Sequence, residues 1–144
     1  MFKRILVPTD GSDISQQSVH TAVALAKSVG AEIHTVCVKE PFPYGAISEM
    51  QPTPPQEFFD AQERMATRHV AAVAEACKNA GVSCTALTVE GLHPWEEVIA
   101  HAERAGCDLI VMASHGRRGV TALLLGSETQ KVLSHTRIPV LIVR

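Results

Sequence analysis

The sequence predicts an α/β fold: an open parallel β-sheet covered by helices on both faces. Three observations lead there. Short apolar runs alternate with segments of helical period along the chain, and that alternation builds strand–helix–strand units. Runs such as Ile5-Leu6-Val7 and Leu109-Ile110-Val111-Met112 are apolar at consecutive positions, as strands buried on both faces are. Glycine and proline clusters separate the segments, and these residues punctuate a chain by freeing or fixing φ.

Taken in order, Phe2–Val7 forms the first strand, closed by the turn cluster Pro8-Thr9-Asp10-Gly11. Val19, Ala22, Val23 and Ala26 recur at helical spacing, with Ser12 as N-cap and Gly30 as the stop. Glu32–Val38 supplies the second strand. Pro41, Pro43, Pro52, Pro54 and Pro55 make residues 41–55 a mobile surface loop. A helix over Gln56–Ala80 carries Phe59, Met65, Val73, Ala76, Cys77 and Ala80 on or near one face, and Gly81 stands where a glycine stop belongs. Val82–Val89 is the third strand. Pro94 takes the first helical position of the next helix, whose buried stripe is Trp95, Val98, Ile99 and Ala102 and whose stop is Gly106. Asp108–Ala113, a helix from Ser127 to about Thr136, and Pro139–Val143 complete the chain.

Composition narrows the function classes. A chain of 144 residues fits one domain, 1–144, and buries about 68–70% of its unfolded surface. Lys and Arg number 13 against 15 Asp and Glu, for a net charge of −2, and no long run of like charge occurs. Neither nucleic acid nor a membrane surface is therefore an expected partner. Cys37, Cys77, Cys84 and Cys107 lie in or beside apolar segments without CxxC spacing, the pattern of buried thiols rather than of a zinc knuckle or redox motif. His20, His34, His69, His93, His101, His115 and His135 form no HExxH or His/Cys cluster, so no protein-held metal is expected. No apolar run reaches signal-core or membrane-spanning length, and a cytoplasmic location is the expectation.

The segment after the fourth strand is the most informative. Ala113-Ser114-His115-Gly116 follows the apolar run, and Gly126-Ser127 opens a helical stretch. Gly116, Gly119 and Gly126 can take positive φ and let backbone N–H groups approach an anion, and a helix start at Ser127 favours negative charge. The same residues also read as a capping box, Ser127 with Gln130, beside ordinary turn glycines. In open α/β sheets ligands bind where the winding reverses. If the first and fourth strands flank that point, Pro8–Ser12 and Ala113–Gly119 share one crevice.

Catalytic constellations find little support. Asp10, Ser12, Ser114 and His115 are the residue types of a hydrolytic triad, but there is no Gly-x-Ser-x-Gly elbow, and no catalytic residue is assigned. The Gly-x-x-x-x-Gly-Lys-Ser/Thr loop is missing as well, so fast ATP turnover is not expected. Arg117 and Arg118 either hold phosphates or form a solvated surface, and His115 either donates to phosphate or packs locally. The last strand ends as an apolar sheet edge, and such edges pair with something.

Ile5-Leu6-Val7-Pro8-Thr9-Asp10-Gly11-Ser12, Val89-Glu90-Gly91 and Pro139-Val140-Leu141-Ile142-Val143 resemble the universal stress protein family, over essentially the whole chain. Its ATP-binding members carry Gly, two residues, Gly, nine residues, Gly, then Ser or Thr. Here Ala113, Ser114-His115, Gly116, nine residues, Gly126 and Ser127 stand in those places, with alanine for the first glycine. The resemblance implies an open five-stranded sheet in the order 3-2-1-4-5 with ATP in the crevice, accompanied by Mg²⁺ or Mn²⁺ on its phosphates. Pro8, Thr9 and Asp10 would line the adenosine end and Val38 the adenine, with Met112 and Ala113 beneath the nucleoside. Ser114, His115, Gly116, Arg117, Arg118 and Gly119 would wrap the phosphates. Gly126, Ser127, Glu128 and Thr129 would close the site, Glu128 through its backbone more than its carboxylate. A homodimer through residues 139–143 is also implied.

The expected function is accordingly that of a stress-response module with ATP as a regulatory ligand, in which phosphates order Arg117–Leu125 and the last helix. A dimeric scaffold that takes no nucleotide and a slow ATPase or adenylyl-transferring protein are the alternatives.

Overall fold

The computed structural model describes residues 1–41, 55–116 and 124–144. Five parallel strands form one sheet: β1 (Arg4–Pro8), β2 (Glu32–Lys39), β3 (Cys84–Glu90), β4 (Leu109–Ala113) and β5 (Val140–Val143). Their order is β3-β2-β1-β4-β5, as the family resemblance implied. The helices are α1 (Asp13–Val29), α2 (Gln56–Ala80), α3 (Pro94–Arg104) and α4 (Ser127–His135). The loop expectation over 41–55 falls almost wholly outside the described residues, as do Arg117, Arg118 and Gly119.

Strand alternation divides the core into two layers. Ile5, Val7, Ile33, Leu109 and Val111 pack against Val19, Ala22, Val23 and Ala26 of α1 and Val73 and Cys77 of α2. On the other face, Leu6, Val36, Ile110 and Met112 meet Val98, Ile99 and Ala102 of α3 and Val132 of α4. Full burial of such side chains stabilises by about 1.5–3 kcal/mol each, against about 0–1 kcal/mol for an exposed ion pair, so these two layers set the architecture.

Element ends follow local chemistry. β1 begins at Arg4 because the Asp108 carboxylate accepts the backbone N–H groups of Lys3 at 2.9 Å and Arg4 at 3.1 Å. Ser12 caps α1, accepting from the Ser15 N–H, and Gly30 and Gly81 close α1 and α2 at φ of 74° and 73°. On α2 the buried stripe is Ala66, Val70, Val73 and Cys77. Met65, expected near that face, is instead exposed, being one residue out of step with Ala66. β3 starts at Cys84 rather than Val82, because the Val82 N–H turns back to the Cys77 carbonyl at 2.8 Å. As an edge strand it alternates between half-buried and exposed positions. Among the described residues no helix is long and apolar enough to cross a membrane.

Candidate functional site

The C-terminal ends of β2, β1 and β4 meet where the strand order reverses, the place where open α/β sheets leave a crevice. Past Pro8 the Thr9 N–H donates to the Val36 carbonyl at 3.0 Å. The buried Thr9 hydroxyl accepts from the Gly11 N–H at 3.2 Å and the Ser15 hydroxyl at 3.1 Å. Asp10 Oδ1 accepts the Ser12 N–H at 2.9 Å. These bonds hold Thr9–Ser12 as a tight turn leading into α1.

Across the crevice, the Ser114 N–H donates to the Val143 carbonyl at 2.8 Å, and the Gly126 N–H to the Ser114 carbonyl at 2.7 Å. Ser114 Oγ and His115 Nδ1 lie 3.1 Å apart. The two loops adjoin: a Cβ on Gly116 would come within 2.7 Å of Asp10 Oδ2, and one on Gly126 within 3.1 Å of His115 Cα. Neither glycine has positive φ. Left-handed freedom was expected of both, whereas what they supply is close approach between backbone and neighbouring residues.

The start of α4 also differs from its expectation. Gly126 is the N-cap and Ser127 the first helical residue, so the expected Ser127–Gln130 capping box does not form. Gln130 donates its amide to the Leu125 carbonyl at 2.9 Å instead of reaching back to Ser127. A glycine cap offers no side-chain acceptor, and among the described residues no side-chain cap bond is made here. Glu128, the acid of the first turn, faces away: its Oε2 accepts the Trp95 N–H at 2.8 Å. Thr129 is buried and donates its hydroxyl to the Ala113 carbonyl at 2.9 Å.

The expected residues are thus gathered at one end of the sheet in different capacities. Pro8 and Val38 are half-buried near the ends of β1 and β2, and Ala113 is half-buried at the end of β4. Met112 is buried in the layer beneath α3 and α4. His115 is half-buried, and Gly116 and Ser127 are exposed. The hydroxyls of Thr9 and Thr129 are committed to the scaffold. One neighbour escaped the sequence argument: His69 of α2 lies against the turn, for a Cβ on Gly11 would come within 2.3 Å of its Nε2. Its Nδ1 is 3.8 Å from the Cys37 thiol. The signal was available, since His69 adjoins Val70 and stands three residues beyond Ala66 on the buried stripe.

Comparison with known proteins supplies the context for this geometry. The universal stress protein family model matches residues 1–144. The chain belongs to the universal stress protein family. A universal stress protein of Thermus aquaticus is 37% identical over 100% of both chains. The solved structure of MJ0577, a universal stress protein of Methanocaldococcus jannaschii, superposes with a TM-score of 0.84 at 27% identity, covering 99% of this chain and 96% of that one. A universal stress protein solved in complex with cAMP superposes with a TM-score of 0.73 at 23% identity, over 99% and 97%. At that identity the likeness is one of fold.

Proposed function

We propose that this universal stress protein binds ATP as a regulatory ligand in the crevice between Pro8–Ser12 and Ala113–Gly116, and acts as a homodimer through β5. The observation that carries the nucleotide reading is the start of α4. Its glycine cap brings no side-chain acceptor of its own to the first-turn N–H groups, the acid of that turn is engaged by Trp95, and such a helix N-terminus favours a phosphate. Asp10, on the opposite wall, repels phosphates but accepts hydrogen bonds from hydroxyls, which suits the sugar end. That polarity orients the nucleotide with its adenosine toward β1 and β2 and its phosphates toward α4. The cAMP-bound relative lends support at the level of the fold. Mg²⁺ or Mn²⁺ would arrive on the phosphates.

No residue here is given a catalytic role. Regulation follows from differential affinity: a ligand that orders the segment before α4 favours the state in which that segment is ordered. The test is calorimetric titration of nucleotide-free protein with ATP and Mg²⁺. Saturable heat is expected, and Gly126→Val abolishes it. Because a Cβ at 126 meets His115, the variant is read only with an unchanged far-ultraviolet spectrum, and Ser127→Pro, which Pro at a first helical position tolerates, serves as the second variant. No heat from folded wild-type protein would overturn the nucleotide reading in favour of a scaffold. Phosphate or AMP release above that of the variants would overturn the non-catalytic one.

A further inference from the structure

We propose that Cys77 and Cys84 form a peroxide-responsive thiol pair that closes to a disulfide across the turn between α2 and β3. Cys77 lies in the last turn of α2, wholly buried, and Cys84 opens β3, half-buried and opposite Ile33. Both side chains pack into one layer with Ile33, Val73 and Val82, and each thiol is near enough to shift the other's ionisation. The turn holds the two elements together: the Gly81 N–H donates to the Lys78 carbonyl at 3.1 Å and the Val82 N–H to the Cys77 carbonyl at 2.8 Å. Cys37 and Cys107 are buried in two other clusters.

The pair is asymmetric in ways that suit stepwise oxidation. A concavity of about 370 Å³, lined by Gly81, Val82 and Ser83 together with Lys3 and Lys27, opens at this turn. Cys84 itself is half-buried, while Cys77 is enclosed. The neighbouring Cys77 thiol draws the Cys84 thiol below its ordinary value against the opposing effect of burial. The Cys84 thiol, and then burial, holds Cys77 protonated. Cys84 is therefore the attacking thiolate and Cys77 the resolving thiol.

The chemistry closes with hydrogen peroxide as the oxidant. The Cys84 thiolate attacks one peroxide oxygen; the S–O bond forms, the O–O bond breaks, and the departing hydroxide takes a proton to leave as water. Cys77 then attacks the sulfenic sulfur of Cys84; the S–S bond forms, the S–O bond breaks, and the thiol proton leaves with the hydroxyl as a second water. Two thiols lose two electrons and peroxide gains them. A dithiol reductant reverses the result. The site lies at the N-terminal end of the strands, away from the crevice.

Trypsin provides a direct reading, because it cuts after Lys78, between the two cysteines. Cys77 falls on His69–Lys78 and Cys84 on Asn79–Arg104, each the sole cysteine of its peptide. Native protein treated with hydrogen peroxide, alkylated and digested without reduction is expected to yield these two peptides joined, with the chain at monomer mass on a non-reducing gel. The thiol count falls from 4 to two, and dithiothreitol restores it. Cys84→Ser, a change at a half-buried position, loses the joined peptide, and Cys77→Ser leaves a sulfenic acid on Cys84 that dimedone labels. The proposal is overturned if native protein keeps all its thiols under peroxide, if Cys84 joins Cys37 or Cys107 equally well, if the product is an intermolecular dimer, or if the joined peptide arises only in urea.

Discussion

Glu128 Oε2 accepts the backbone N–H of Trp95 at 2.8 Å, so an acid in the first turn of α4 caps the first turn of α3. Both helices cover the same face of the sheet, and the Trp95 and His135 rings meet with centroids 4.4 Å apart and planes tilted by 35°. His93, the N-cap residue of α3, makes no side-chain cap bond. Glu128 supplies from another helix what His93 does not. Glu128→Ala is therefore expected to destabilise the fold by about 1 kcal/mol, the usual loss for an N-cap. Urea denaturation measures it, and an unchanged midpoint would mean that water replaces the carboxylate without cost.

Gly11 and Gly30 share nearly the same backbone, at φ of 78° and 74°, but not the same surroundings. A Cβ on Gly30 meets nothing within 4 Å, whereas one on Gly11 would come within 2.3 Å of the His69 ring. Gly30→Ala is expected to cost about 1 kcal/mol for left-handed backbone alone. Gly11→Ala costs more, and the excess is shared with His69. In a double-mutant cycle His69→Ala should recover the excess and leave the backbone part. Additive effects of the two changes would sink the claim that the imbalance is steric.

What could be read from the sequence was what rests on periodicity. The strand–helix alternation, Ser12 as a cap and Gly30 and Gly81 as stops all follow from residue type and spacing, and the structure has them where expected. The errors sit where a tertiary partner decides. Val82 leaves β3 because the Cys77 carbonyl claims its N–H, and the cap of α4 falls on Gly126 rather than Ser127. At the crevice some residues serve purposes other than those expected of them. Gly116 and Gly126 are glycine because Asp10 and His115 stand close, and the Thr129 hydroxyl is spent on Ala113. Contacts between loops distant in sequence leave no periodic trace.

A pH dependence follows from His101. It is buried at the end of α3, with His34 of β2 facing it at a ring separation of 6.1 Å. Glu32 Oε1 accepts from Arg4 and lies 3.1 Å from His34 Nε2, and Arg104 is the other charge nearby. Burial first, then the charges of His34 and Arg104, hold His101 below the ordinary imidazole value of 6.5. The unfolded chain takes up this proton near pH 6.5 and the folded chain only at lower pH, so the stability is complete above that point. It is lost as the pH falls through 6.5 toward the folded value. Glu32, drawn down by the hydrogen bonds from His34 and Arg4, stays ionised at the start of this window. His101 Nε2 has no hydrogen-bond partner among the described residues, and an unpaired buried group costs about 1–3 kcal/mol. His101→Leu should therefore flatten stability against pH below 6.5 without destabilising at pH 8. Urea midpoints across that range decide it, and an unchanged slope would assign the effect elsewhere.

The last prediction concerns assembly. β5 pairs with β4 on one side only and stands at the edge of the sheet. Leu141 is 39% exposed there, and Val140, Ile142 and Val143 are half-buried. An edge strand of this composition presents unpaired N–H and C=O groups beside apolar side chains, a template for another strand. Two-fold pairing with the same strand of a second copy satisfies both sets at once, since an isologous contact places one patch against itself. Leu141→Lys puts like charges near each other across such an axis and removes apolar contact, while in the single chain it only adds charge to an exposed position. Sedimentation equilibrium should give twice the monomer mass for the wild type and the monomer mass for Leu141→Lys, with unchanged far-ultraviolet spectra. A monomeric wild type at tens of micromolar would rule out β5 pairing, and a dimer that survives Leu141→Lys would move the interface to another surface.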